Sequence, residues 1–147
     1  MTLSAESGYG EAARTIIAAR SEAVFAARAG VLDMSDIERV HRMRVATRRL
    51  RAALEVFVPA LHGRRAKRAL AEVKALADAL GERRDRDVQL ERLHRLAADT
   101  DGHERHAVEL LAAELLREQR QANRILEQAL RHAKRNRLRA RLRRLCA

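Results

Sequence analysis

The stretch VHRMRVATRRLRAAL, residues 40–54, decides the fold because its apolar positions recur at helical spacing. At about 100° per residue, Met43, Leu50 and Leu54 fall within an arc of about 60° on a helical surface. Val40 and Thr47 lie at the edges of this arc. The periodicity predicts an amphipathic α-helix with one face packed in a core.

The same stretch carries five arginines and one histidine but no carboxylate. Helical phase predicts a second arc of about 80°, on the flank of the apolar face. Its members, here termed the cationic rail, are His41, Arg44, Arg48 and Arg51. Arg42 and Arg49 point away from the rail, towards solvent.

Like charges stacked at this spacing repel one another along a helix. Two explanations are open for the rail: carboxylates on other helices neutralise it, or an elongated anion does. The planar guanidinium of arginine suits bidentate contact with phosphate oxygens. The cationic rail is therefore a candidate site for a linear polyanion.

The composition of the whole chain predicts an all-α fold, a four-helix-bundle-like up-down domain. Alanine, leucine, arginine and glutamate dominate, and Pro59 is the only proline among 147 residues. Such a composition favours helices over strands. The length suits one domain over residues 1–147.

Capping residues, glycines and the single proline predict the helix boundaries. The first two helices are expected at Ser7–Ala29 and Asp36–Val58. Asp33 and Ser35 are the candidate N-caps of the second helix. Ser35 and Glu38, three residues apart, have the spacing of a capping box.

The second half of the chain is predicted to contain two further helical segments. The third helix is expected to be interrupted near Gly81, which resembles a C-cap. The last helical pattern begins near His103, with a break near Asn136. Residues 128–147 form a basic C-terminal helix in this prediction, because no acidic residue follows Glu127.

The charge of the chain favours a polyanionic partner. Lysine and arginine total 31 against 20 aspartates and glutamates, which gives a formal net charge of +11. The single cysteine, Cys146, and the lack of a signal peptide or an apolar span indicate a cytoplasmic protein without membrane contact. Scattered histidines, with no glycine-rich loop or acidic cluster, predict neither a metal site nor an enzyme, and no cofactor is expected.

Two separated motifs resemble the CHAD domain, the conserved histidine α-helical domain. The first is VHRMRVATRRLRAALEVF, and the second, some thirty residues later, is KALADALGERRDRDV. The resemblance covers roughly residues 11–145, although the final third matches only as a helical pattern. It implies a helical domain that binds inorganic polyphosphate and associates with polyphosphate granules or phosphate-processing enzymes.

The resemblance also implies which residues contact the ligand. The rail residues His41, Arg44, Arg48 and Arg51 match the first motif. Lys74 and Arg84 match the second motif, in which Asp85 and Asp87 are expected to act as N-cap and arginine-orienting residues. Arg120 and Arg124, on a basic face of the last long helix outside both motifs, are also included in the predicted polyphosphate-binding set. Geometry alone favours a solvent-exposed role for that face.

One departure from the family leads to a hypothesis about assembly. Family members usually have two similar bundles with the polyphosphate channel between them, whereas this chain matches only the first. We therefore expect two copies to pair as a homodimer and complete the channel. The alternative function is that of a nucleoid-type protein that binds DNA or RNA without sequence specificity, through phosphate contacts alone.

Overall fold

The computed structural model describes residues 8–61 and 63–147, which form five α-helices and no strand. A short 3-10 turn, Val58–Ala60, follows the second helix. The helices are α1 (Tyr9–Ala26), α2 (Ile37–Phe57), α3 (Gly63–Ala98), α4 (Gly102–Arg135) and α5 (Leu138–Leu145). The prediction of an all-α fold is confirmed. The predicted start of the first helix at Ser7 lies outside the described residues.

The long helix α3 is the centre of the bundle. It packs against α2 on one side and α4 on the other, while α1 packs against α2. The short helix α5 closes the arrangement by contacting α1, α3 and α4. Among the described residues, the backbones of α2 and α4 do not approach each other closely, and α3 lies between them.

The apolar face predicted for α2 is the face that enters the core. The two central side chains, Met43 and Leu50, are each 1% exposed. The edge position Thr47 is also buried, and its hydroxyl donates to the carbonyl oxygen of Met43 at 2.8 Å. The phase of the helix is thereby fixed, and with it the direction of every arginine on α2.

The predicted capping box before α2 is wrong. The N-cap is Asp36, whose carboxylate accepts a hydrogen bond from the amide of Glu38 at 3.2 Å. Asp33 instead accepts from the amide and hydroxyl of Ser35, at 2.9 and 2.7 Å. Ser35 is engaged in this turn, so the helix begins one residue later than the box requires.

The predicted interruption of the third helix near Gly81 is also wrong, because α3 continues without a break from Gly63 to Ala98. Gly81 does not adopt a positive φ, which among the described glycines occurs only at Gly30 and Gly102. A glycine inside a helix costs only about 1 kcal/mol relative to alanine. Burial of Leu80 and Leu90 on either side of Gly81 outweighs that cost.

The predicted break near Asn136 is confirmed. Arg137 adopts the left-handed conformation, with φ of 53°, and it separates α4 from α5. Residues 128–147 therefore do not form one basic helix. The turn brings Leu138, Leu142 and Leu145 into the core, and places the arginines of α5 around the rim of the bundle.

Candidate functional site

Three arginines of the cationic rail line one groove between α2 and α3. The groove has a volume of about 500 Å³, and Arg44, Arg48 and Arg51 form its α2 wall. Their common direction follows from the buried phase of α2, because each lies three or four residues from the next on the flank of the core face. The structure thus brings together the arginines that helical spacing predicted to be neighbours.

The opposite wall of this groove, formed by α3, is acidic. It carries Asp78, Glu82 and Asp85, together with Ala77 and Gly81. Asp85 lies inside α3, so its predicted role as an N-cap is wrong. Of the two explanations for the rail, neutralisation by carboxylates on another helix is therefore partly realised.

The carboxylates of α3 do not, however, pair with the first two arginines of the wall. Within the described part of the chain, Arg44 and Arg48 form no ion pair within 4.0 Å, and Glu82 pairs with Arg86 instead. Two guanidinium groups therefore remain available for an anion along the α2 wall. The acidic wall limits how strongly the groove attracts anions.

Arg51 and Lys74 meet at a shared carboxylate. Nε of Arg51 and Nζ of Lys74 lie 3.0 and 3.5 Å from the same oxygen of Glu55. The hydrogen bond from Arg51, and then Lys74, lowers the pKa of the Glu55 carboxyl. Lys74, which the resemblance assigned to the ligand, is therefore joined to the Arg51 end of the rail through an acidic bridge.

His41 lies in a different groove from the other rail residues. It lines a groove of about 320 Å³ between α1 and α2, together with Arg20, Arg42 and Arg49. No carboxylate is among the residues that line this groove. Nδ1 of His41 is buried and has no hydrogen-bond partner among the described residues. The structure thus groups His41 with the two arginines that the sequence assigned to solvent.

The remaining predicted site residues are not gathered at the groove. The side chain of Arg84 is 15% exposed, and its Nη1 lies 3.6 Å from Glu38 near the start of α2. Arg120 and Arg124 are exposed on α4, where Nε and Nη2 of Arg124 donate to Gln121 at 3.0 and 2.6 Å. Because α3 separates α2 from α4, the α4 arginines are not adjacent to the rail.

The sequence did not reveal the role of one buried residue within the second motif. Arg83 is fully buried, and its Nε donates to Asp87 at 3.0 Å while its Nη1 donates to Asn123 at 2.8 Å. Gln119 donates to the same oxygen of Asp87 at 2.6 Å. Asn123 in turn donates to the carbonyl oxygen of Leu32 at 3.1 Å. The network ties α3, α4 and the loop before α2 together.

Asp87 is therefore an arginine-orienting residue, but for Arg83 rather than for a ligand-facing arginine. Burial raises the pKa of the Asp87 carboxyl, and the hydrogen bonds from Gln119 and Arg83 oppose that effect. The signal in the sequence was the spacing of four residues between Arg83 and Asp87, which is the spacing of an ion pair on one helix face.

With this geometry in place, comparison with known families gives a clear assignment. The family model of the CHAD domain matches residues 15–147. The chain belongs to the CHAD domain family. That family is linked to polyphosphate binding, and the match includes all residues of the cationic rail. No curated protein and no solved structure matches the chain significantly.

Two further observations concern metal binding and membrane insertion by this CHAD domain. Within residues 8–61 and 63–147, no group of three or more histidine, cysteine, aspartate or glutamate side chains could hold a metal ion. None of the described helices is long and apolar enough to cross a membrane. What α2 does present is a row of guanidinium groups, which suits contact with a chain of phosphates.

Proposed function

We propose that this CHAD domain is a non-catalytic module that binds inorganic polyphosphate along the α2 wall. The observation that carries the proposal is the row formed by Arg44, Arg48 and Arg51 in one groove. Successive members are about 4.5–6 Å apart along the helix axis, so several phosphates of one chain can be contacted at once. The acidic α3 wall favours a phosphate chain held on the α2 side.

The test compares two triple variants with the same loss of charge. Arg44→Ala/Arg48→Ala/Arg51→Ala removes the α2 wall, whereas Arg95→Ala/Arg105→Ala/Arg117→Ala removes three exposed arginines near the α3–α4 turn, each paired locally. We expect the first variant to lose at least about tenfold in affinity for long-chain polyphosphate, because charge-assisted contacts are lost. Equal losses would mean that only net charge matters, and would contradict the proposal.

The acid-free groove around His41 needs its own variant. Arg42→Ala/Arg49→Ala leaves the α2 wall intact and removes two arginines beside His41. If polyphosphate follows the rail as the sequence predicted, this pair costs less affinity than the α2 wall. A larger loss would move the principal site to the α1–α2 groove.

Nucleic acid is the alternative ligand, because its binding would depend on the same phosphate contacts. A competition assay separates the two. We expect long-chain polyphosphate to displace duplex DNA at equal phosphate concentration. Failure to displace it would favour the nucleoid-type alternative. Absence of phosphate release from polyphosphate or nucleotides, with added divalent metal, is the expected result for a binding module.

A homodimer is the proposed assembly. The family resemblance implies a channel between two bundles, and helices α1 to α5 form only one of these bundles. An isologous pair would place a second α2 wall opposite the first. Sedimentation with and without polyphosphate at working concentrations tests this. A monomer under both conditions would contradict the dimer while leaving polyphosphate binding by the single groove intact.

A further inference from the structure

A second cavity lies where α5 closes on the other helices. It is a cleft of about 600 Å³, and its lining comes from all five α-helices and from the turn between α4 and α5. It shares no lining residue with the α2–α3 groove. Neither the sequence patterns nor the family match assigned a role to this cleft, here termed the α5 cleft.

The floor of the α5 cleft is apolar. Its base is formed by Met43, Leu76 and Leu138 from three different helices, and because each is at most 3% exposed, the apolar surface that a ligand can reach lies mainly on the walls. Phe25 and Ala140 continue the apolar surface onto the walls. A linear phosphate chain has no apolar part that could cover this surface. The cleft therefore favours a ligand with a hydrocarbon or aromatic body.

The rim of the α5 cleft is cationic. Six basic residues surround the opening, and no carboxylate is among the lining residues. They are Arg28, Lys134, Arg137, Arg139, Arg143 and Arg144. Such a rim favours an anionic group held above the apolar floor.

Two rim arginines are held in place from outside the cleft. Nη2 of Arg139 and Nε of Arg143 lie 2.6 and 3.1 Å from the carboxylate oxygens of Glu22 on α1. The guanidinium carbon of Arg139 also lies 5.4 Å from the centroid of the Phe25 ring. For Arg28, Lys134, Arg137 and Arg144, the described residues provide no carboxylate within 4.0 Å. The rim therefore combines two oriented guanidinium groups with cations that are available to a ligand.

We propose that the α5 cleft binds a small anionic amphiphile, with its apolar body on the floor and a phosphate or carboxylate head at the rim. The cleft volume falls within the range of about 300–1,000 Å³ that is typical of small-molecule sites. A second copy of the chain seated on the same surface would bring two cationic rims together, which disfavours that occupant. The proposal does not depend on polyphosphate binding, because the two sites share no residue.

The binding test uses decyl phosphate below its micellar concentration, followed by calorimetry. Decanol supplies the apolar body alone, inorganic phosphate supplies the head alone, and decanoate distinguishes a carboxylate head from a phosphate head. We expect decyl phosphate to bind at least about tenfold more tightly than decanol or phosphate, because burial of its methylene groups adds to contact with the rim. Binding no tighter than that of either fragment would overturn the proposal.

Two variants locate the binding. Ala140→Trp fills the cleft, and Lys134→Glu/Arg144→Glu reverses two exposed rim charges. Each is expected to weaken decyl phosphate binding by at least about tenfold, with helicity unchanged by circular dichroism. The charge-matched control is Arg95→Glu/Arg105→Glu, far from the cleft on the α3–α4 hairpin.

Three results would overturn the proposal. The first is an equal effect of the rim and control reversals. The second is retention of full decyl phosphate affinity by Ala140→Trp. The third is self-association, seen by light scattering, that Ala140→Trp abolishes, because the cleft would then be covered by a second copy. Ala140→Trp is also expected to leave polyphosphate affinity unchanged, which separates this site from the α2 wall.

Discussion

Arg83 carries its charge into the core, where it is fully buried against Asp87. Both groups lose their hydration, and Nη2 of Arg83 and Oδ2 of Asp87 have no hydrogen-bond partner in the described part of the protein. Such a pair gains little net stability over apolar residues of similar size, but either partner alone is an uncompensated buried charge. Both partners lie on α3, and their hydrogen bonds to Asn123 and Gln119 join this helix to α4.

Replacement of one partner of this pair should be strongly destabilising. We expect Arg83→Met to lower the free energy of unfolding by about 3–5 kcal/mol, because the Asp87 carboxylate would remain buried without its cation. Urea denaturation measures the loss. The exposed pair of Arg95 with Glu91 provides the control, and Arg95→Met should cost less than about 1 kcal/mol.

The double variant Arg83→Met/Asp87→Leu distinguishes charge from packing. It removes both charges, so much of the lost stability should return. If the double variant is as unstable as the single one, the polar network with Gln119 and Asn123, rather than the ion pair, is what stabilises this region.

At the scale of elements, Gly81 shows why a local signal failed. A glycine followed by charged residues is typical of a helix end, but tertiary packing continues along the same face of α3 beyond it. Gly81 also lines the α2–α3 groove, where it leaves a gap in the acidic wall. A Cβ atom at this position would have no atom within 4 Å.

Alanine at Gly81 should therefore stabilise the protein. We expect Gly81→Ala to raise the free energy of unfolding by about 0.5–1 kcal/mol, because the unfolded chain loses conformational freedom and the helix gains propensity. Thermal or urea denaturation checks this. Gly30→Ala is the contrasting variant and should be destabilising, because φ at Gly30 is +67° and a Cβ there would collide with the side chain of Arg39.

The same elements show how far sequence reasoning reaches. The phase of α2 was predictable because its apolar residues repeat within one helix, and that phase correctly joined Arg44, Arg48 and Arg51. The position of His41 in a different groove was not predictable, because helical phase gives an angle around α2 but not the positions of α1 and α3 beside it. The burial of Arg83 depends on Gln119 and Asn123, which lie more than thirty residues away in sequence.

The attachment of α5 to α1 should depend on pH. Hydrogen bonds from Arg139 and then Arg143 lower the pKa of the Glu22 carboxyl below its usual 4.5. A carboxyl whose folded pKa is lowered contributes stability above its unfolded pKa and loses it as the pH falls through the folded value. The contact is therefore present at neutral pH and weakens below about pH 4.5.

Glu22→Gln tests this dependence. Its melting temperature should fall less than that of the wild type when the pH is lowered from 5 towards 3, because the variant has no carboxyl to protonate at this contact. Glu109→Gln, which alters an exposed pair within α4, is the matched control. Parallel pH profiles for the wild type and Glu22→Gln would contradict the assignment.

At the scale of the whole molecule, charge is segregated. Residues 91–118, around the turn between α3 and α4, hold four arginines and seven acidic residues. The rest of the chain holds the other 27 basic residues against 13 acidic ones, so its net charge is +14. No residue of 91–118 is buried. The α3–α4 hairpin is therefore an exposed, weakly acidic extension of a strongly basic body.

This segregation predicts how salt should affect polyphosphate binding. Each phosphate contact releases counterions, so the logarithm of the affinity should fall linearly with the logarithm of salt concentration, and loss of one contact should reduce the slope by about one. Anisotropy titrations of labelled long-chain polyphosphate at several salt concentrations measure the slope.

Arg44→Ala/Arg48→Ala/Arg51→Ala should flatten this slope by up to about three, because three contacts on the basic body are lost. The hairpin variant Arg95→Ala/Arg105→Ala/Arg117→Ala should leave it unchanged, since those arginines face local carboxylates. The same flattening in both variants would show that polyphosphate responds to total charge and not to the α2 wall.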